Sequence, residues 1–159
     1  MNYQGITLTS FNNGKGMRTV LWVSGCEHHC KGCHNQNTWD VNGGRPFDEK
    51  AKEVIFRELR RTWSDGLTIS GGDPLHPANR DDVTKLAKEV KAAFQDKTIW
   101  LYTGYLYEDV KDLEIMKYID VVVDGQFVEK LADEAYKYAG STNQRIIYVK
   151  EHQNENCRS

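Results

Sequence analysis

An α/β fold built on a mainly parallel sheet is the architecture this sequence predicts, and three observations predict it. Segments rich in β-formers alternate with segments of helical period along the chain. Glycine-containing polar loops follow the expected strands, at the carboxyl ends where α/β sheets collect their chemistry. The length of 159 residues suits one domain and falls short of the roughly 250 that a closed eightfold barrel takes. A small open sheet or an incomplete (β/α) barrel is therefore expected.

Ile6 to Ser10 and Thr19 to Ser24 read as strands, and Asn12-Asn13-Gly14-Lys15-Gly16 between them as the turn of a hairpin or a short loop. From Asp48 to Thr62, Ala51, Val54, Ile55 and Leu59 recur at helical spacing, with Asp48 placed as the N-cap. Leu67 to Ser70 is a short strand. Asn79 to Gln95 repeats the helical period through Val83, Leu86, Ala87, Val90 and Phe94, and Thr98 to Tyr102 is the next strand. Tyr107 to Tyr118 carries Val110, Leu113 and Met116 on one helical face, and Val121 to Val123 is an apolar strand. A last helix is expected over Glu129 to Tyr136, before a strand at Ile146 to Val149. With no repeat or linker, residues 1–150 read as one domain and 151–159 as a polar tail.

A net charge of -2 with no basic block offers nothing to a phosphate backbone, so a nucleic-acid partner is not expected. The first residues lack the charged and apolar regions of a secretory signal, and no apolar run approaches the ~18 residues of a membrane span. The expected location is the cytoplasm, with no membrane contact. In that reducing compartment Cys26, Cys30 and Cys33, crowded into eight residues, read as a metal or redox site rather than disulfide partners.

Four chemistries compete for this loop. Cys30-Lys31-Gly32-Cys33-His34 matches the c-type haem attachment pattern, and Cys30 with Cys33 matches a redox dithiol, but both leave Cys26 without a use. Three thiolates with His28, His29 or His34 would close a tetrahedral zinc site. A 4Fe-4S cluster held by three thiolates would keep one iron open to a ligand. Cys157, far along the chain, reads as a free thiol on the tail. Gly14-Lys15-Gly16 lacks the third glycine of a dinucleotide fingerprint and the spacing of a P-loop.

The CxxxCxxC spacing, opening a βα series, resembles the radical S-adenosylmethionine (SAM) superfamily. Within it the chain is similar to activating enzymes of anaerobic, class III ribonucleotide reductases. The likeness runs through Val23-Ser24-Gly25-Cys26 with Cys30, Cys33, His34 and Asn35; through Ser70-Gly71-Gly72-Asp73-Pro74-Leu75; through Trp100 to Tyr105; and through Val123-Asp124-Gly125 with Gly140 to Gln144. Lys15 departs from the pattern where Pro is common, and His34 where an aromatic residue is common.

The resemblance implies an incomplete (β/α) barrel of the radical SAM type and an oxidoreductase whose cofactors are a 4Fe-4S cluster and SAM. It makes Cys26, Cys30 and Cys33 the cluster ligands, and places SAM against Gly32, Cys33, His34, Gly71, Gly72 and Asp73. Asp73 either accepts from the SAM ammonium or shapes the turn. Thr103, Gly104, Asp124 and the Ser141 to Gln144 loop are further candidates, whereas His28 and His29 read as solvated loop residues. The implied partners are the large reductase subunit, on which a glycyl radical is installed, and a reduced flavodoxin or similar electron donor. The alternatives are activation of another glycyl-radical enzyme, such as a formate lyase, and a zinc-stabilised binding module.

Overall fold

The structure, a computed structural model, describes residues 1–151; Cys157 and all but the first position of the expected tail lie outside the described residues. Seven strands form one sheet: β1 (Asn2–Ser10), β2 (Arg18–Val23), β3 (Arg45–Pro46), β4 (Gly66–Gly71), β5 (Thr98–Tyr102), β6 (Val121–Asp124) and β7 (Arg145–Tyr148). Their spatial order is β3-β1-β2-β4-β5-β6-β7. The central β2, β4, β5 and β6 run parallel. Both flanks are antiparallel, β1 pairing with β2 and β3 on one side and β7 with β6 on the other.

Strand alternation divides the sheet into two faces. Leu21, Ile69, Leu101 and Val122 lie side by side across the four parallel strands, and all are fully buried. Helix α1 (Glu49–Leu59) brings Ile55 and Leu59 to this core, and α2 (Arg80–Ala93) brings Val83, Leu86, Ala87 and Val90. The next row, Val20, Thr68, Trp100 and Val121, points the other way. There Trp100, Val121 and Val123 pack with Tyr102, Tyr138, Ala139 and Ile146. The Asp48 side chain accepts from the Ala51 amide at 2.9 Å, the cap its sequence position requires.

Arg18 fastens the amino-terminal ends of the parallel strands. Its buried guanidinium donates to the Thr68 and Thr98 hydroxyls, both at 2.9 Å, and to the carbonyls of Leu67 at 2.8 Å, Thr98 at 2.7 Å and Lys15 at 3.0 Å. All five acceptors are neutral; burial pushes the group down to about 10, and it remains charged at neutral pH.

Two expected helices are shorter than the pattern suggested. Tyr107 to Tyr118 divides into α3 (Tyr107–Val110) and a 3₁₀ turn at Glu114–Lys117. The Leu113 amide reaches back only three residues, to Val110, which swings Ile115 and Met116 into the core within a short connection. Glu129 to Tyr136 yields only a 3₁₀ turn at Glu129–Leu131, with no buried residue to hold a longer helix. Its continuation bridges instead, Ala132 opposite Ser141.

Candidate metal centre

The loop after β2 carries the three cysteines. It leaves the strand through Gly25 at a φ of 108°, and then its Gly25 amide donates to the Thr38 carbonyl at 2.6 Å and its Cys26 amide to the Trp39 carbonyl at 3.1 Å. The segment around Thr38, itself buried, thus backs the cysteines. His29 and Gly32 adopt left-handed φ values of 49° and 77°, and the Cys33 amide closes a turn onto Cys30 at 3.1 Å. His29 is held in that conformation by stacking on Trp39, with ring centroids 4.5 Å apart and planes 3° from parallel.

All three thiols are free and half-buried. Burial pushes Cys26 and Cys30 up, and backbone amides pull against it, those of His28 and His29 at Cys26 and that of Phe127 at Cys30. The Asn35 amide donates to the Cys33 sulfur at 3.4 Å. Half-buried thiols with backbone N–H groups beside the sulfur are the setting in which cysteines serve as metal ligands. The donor set therefore fits an iron–sulfur cluster, which takes its thiolates on different irons. Among the described residues no three His, Cys, Asp or Glu side chains are grouped to hold one ion.

The turn after β4 lies directly against this loop. A Cβ on Gly71, whose φ is 105°, would fall 2.5 Å from the backbone N and O of Val23. The Gly72 amide donates to the Val23 carbonyl at 2.8 Å and the Asp73 amide to the Gly25 carbonyl at 2.7 Å. Both glycines are thus required by the close approach of β2 and its loop. The fully buried Asp73 carboxylate accepts from the amides of Leu75 at 2.8 Å and Gly104 at 2.9 Å and from the Thr103 hydroxyl at 2.9 Å, and meets His28 Nε2 at 2.6 Å. Both of its oxygens are occupied by protein donors. Asn79, at the head of α2, adds bonds to the carbonyls of Ser24 at 2.9 Å and Asp73 at 3.1 Å.

The loops after β5 and β6 complete the arrangement. Asp124, buried, takes the Tyr107 amide at 2.8 Å and the Arg145 guanidinium at 2.5 Å, so it braces the loop rather than facing an open site. Gln126 reaches His28 Nδ1 at 3.1 Å. The Gly140 to Gln144 segment hooks this turn: Gln144 Nε2 donates to the Gly125 carbonyl at 3.0 Å and Asn143 to that of Gln126 at 2.8 Å. The β6 side also covers the far end of the cysteine loop, where the Phe127 ring lies 5.8 Å from that of His34 and Glu129 lies beside Gly32.

All four parallel strands therefore send residues to one place. Cys26, Cys30 and Cys33 share one loop, Gly71 and Gly72 lie beneath its start, and Asp73 joins it through His28. His28 is the residue the sequence reading placed wrongly: its side chain is 8% exposed and engaged at both ring nitrogens, not solvated. Gln126 and Thr38 were not singled out at all. The signal available for Gln126 was its position just past Asp124-Gly125 at the end of a parallel strand.

Residues 12–147 match a family described as a 4Fe-4S single cluster domain. The anaerobic ribonucleoside-triphosphate reductase-activating protein of Enterobacteria phage T4 is 44% identical, over 92% of this chain and 93% of its own length. The protein of the same name from Vibrio cholerae is 43% identical over 92% and 97%, and that from Escherichia coli K12 is 39% identical over 94% and 100%. The chain belongs to this 4Fe-4S family. The matched span begins in the turn before β2 and ends within β7, so it contains all four site loops. Membership in the 4Fe-4S single cluster family gives the chain its cofactor class, an iron–sulfur cluster.

Proposed function

We infer that this chain is the activating enzyme of an anaerobic ribonucleoside-triphosphate reductase, an oxidoreductase of the radical SAM class. The observation that carries the inference is that the loop bearing three free thiols, in CxxxCxxC spacing, is bonded at its root to the Gly71-Gly72-Asp73 turn. Relatives at 38–44% identity over nearly the whole chain bear the name of such an activator. A 4Fe-4S cluster held by Cys26, Cys30 and Cys33 would supply the electron for reductive cleavage of SAM, the chemistry that yields a 5'-deoxyadenosyl radical able to take hydrogen from a glycine of the reductase.

The chain's own residues would supply positioning. Cys26, Cys30 and Cys33 would hold the cluster, and Gly32, Cys33 and His34 on one side with Gly71, Gly72 and Asp73 on the other would border SAM. The sheet is read as the incomplete (β/α) barrel of the superfamily, open at the β3 and β7 edges, which leaves the reductase to exclude water from the site. The electron donor is proposed to be a reduced flavodoxin or similar protein. The cytoplasm suits a site built on free thiols, and among the described residues no helix is long and apolar enough to cross a membrane.

Anaerobic reconstitution tests the reading. The chain should take up about four irons and four sulfides and, once reduced, release 5'-deoxyadenosine from SAM. With the large anaerobic reductase it should give a glycyl radical whose paramagnetic resonance doublet disappears when the target glycine is replaced by alanine. A colourless protein with one zinc overturns the reading. A radical formed on a formate lyase and never on the reductase moves the target to another glycyl-radical enzyme.

A further inference from the structure

We propose that His28 is the positioning residue of the site, its imidazole locking the cysteine loop onto the glycine turn so that cluster and cofactor meet in one fixed geometry; this rests on the function proposed above. The ring is enclosed by all four site loops. Its Nε2 lies 2.6 Å from Asp73 Oδ2, and its Nδ1 lies 3.1 Å from Gln126 Nε2. Tyr105 packs edge-on against it with ring centroids 4.6 Å apart. Gly104 leaves room for it, since a Cβ there would fall 2.4 Å from His28 Cδ2. A loop histidine kept only for solubility would need none of these four features.

The chemistry of the partners fixes the direction of each bond. A carboxylate only accepts, so Nε2 carries the hydrogen and donates to Asp73. At the other nitrogen the group facing the ring is the Gln126 amide nitrogen, a donor, so Nδ1 accepts. The chain Gln126 to His28 to Asp73 continues into the Thr103 hydroxyl and the Gly104 amide. It therefore runs from the β6 loop through the β2 loop to the loops of β4 and β5. His28 lies between Cys26 and Cys30, so the side chain that ties the interior of the CxxxC segment to the buried Asp73 sits between two of the proposed ligands. Outer partners of this kind set the orientation of metal ligands, and their loss costs about 10–100-fold in affinity or activity.

The test compares the whole chain with His28→Ala, His28→Gln and, as an exposed control on the same loop, Lys31→Ala. Gln retains an N–H for Asp73, while its acceptor oxygen sits on the same carbon as that nitrogen and not where Nδ1 faces Gln126. In the cluster-free proteins, amide hydrogen exchange over residues 26–33 should accelerate about tenfold in His28→Ala, in keeping with the outer-partner range, and far less in His28→Gln. In the reconstituted proteins, His28→Ala should bind SAM about tenfold or more weakly and lose the change that SAM makes in the resonance spectrum of the reduced cluster. His28→Gln should keep most of both, and Lys31→Ala should match the parent. Unchanged exchange in His28→Ala overturns the proposal, as does equal loss in His28→Gln. Faster exchange with an unchanged SAM signature overturns the positioning role and leaves a structural clasp. If the parent itself takes up no cluster or binds no SAM, the function above fails instead, and the exchange result still decides whether His28 locks the loop.

Discussion

Gly72 meets Gly25 backbone to backbone: a Cβ at position 72 would lie 2.5 Å from the Gly25 carbonyl oxygen and 2.8 Å from that of Thr38. The same Gly25 oxygen already accepts the Asp73 amide at 2.7 Å. The glycine turn and the root of the cysteine loop are thus one packed unit, and neither can shift without the other.

Gly72→Ala should therefore disturb both at once. The added methyl forces the Gly25 carbonyl away, at a cost of about 1–3 kcal/mol for overpacking a rigid contact. Thermal melting should fall, and iron retention and SAM affinity should decline together. A variant that melts like the parent, holds full iron and loses only SAM affinity would show that the position is a cofactor contact and not a structural one.

Much of this was readable in the residues, and the reasons are local. The Asp48 cap, the periods of α1 and α2 and the apolar runs of β4, β5 and β6 report on neighbours a few positions away. Cysteine spacing is equally local, so the loop chemistry was legible. The failures come from distant partners. The period through Val110, Leu113 and Met116 is satisfied by two short turns because core burial of Ile115 and Met116, not propensity, decides that segment. His28 looks like any polar loop residue until folding brings Asp73, 45 positions away, to its Nε2 and Gln126, 98 away, to its Nδ1. At Gly71 and Gly72 the space a Cβ would need is filled by the backbone of β2 and its loop, a close approach that no local pattern reports.

Replacing Cys26, Cys30 or Cys33 singly with alanine should abolish SAM cleavage and lower iron and sulfide content, because a cluster left with two protein thiolates is labile. Cys157→Ala, on the sequence reading, should match the parent. The check is iron and sulfide per chain with 5'-deoxyadenosine yield after reduction. Full activity in any of the three loop variants rejects that residue as a ligand, and iron loss in Cys157→Ala would add a fourth.

Arg18→Lys should destabilise the fold without touching the site. Five acceptors converge on the guanidinium, and an ammonium offers three donors in a different shape. Leaving two buried acceptors unsatisfied costs about 2–4 kcal/mol. Urea unfolding should shift to lower midpoint, while iron per folded chain stays at the parent's value because the clasp lies at the other end of the strands. A midpoint unchanged within error would mean that water fills the missing positions.

Arg145→Ala tests how far the β6 turn depends on one ion pair. The guanidinium donates to Asp124 from Nη2 at 2.5 Å and from Nε at 3.1 Å, and to the Glu108 carboxylate at 2.9 and 2.7 Å. Hydrogen bonds to Glu108 and Asp124 hold it above the usual arginine range. Asp124 is buried, so removing its cation strands a desolvated carboxylate; the cost should be about 2–3 kcal/mol, less than the roughly 3–5 of a fully buried pair. The discount reflects an Arg145 side chain that is 45% exposed and partly screened by solvent. Because the folded-state value lies above the unfolded one, the stabilisation is complete below the ordinary guanidinium range and is lost only as pH rises beyond it. The difference in melting temperature between parent and variant should therefore stay constant from about pH 6 to about pH 9. SAM affinity should fall less than in His28→Ala, since Gln144 and Asn143 still hold Gly125 and Gln126. Equal melting of the two proteins would show that Tyr107 and solvent alone satisfy Asp124, and an effect confined to high pH would mean that the pair contributes nothing at neutrality.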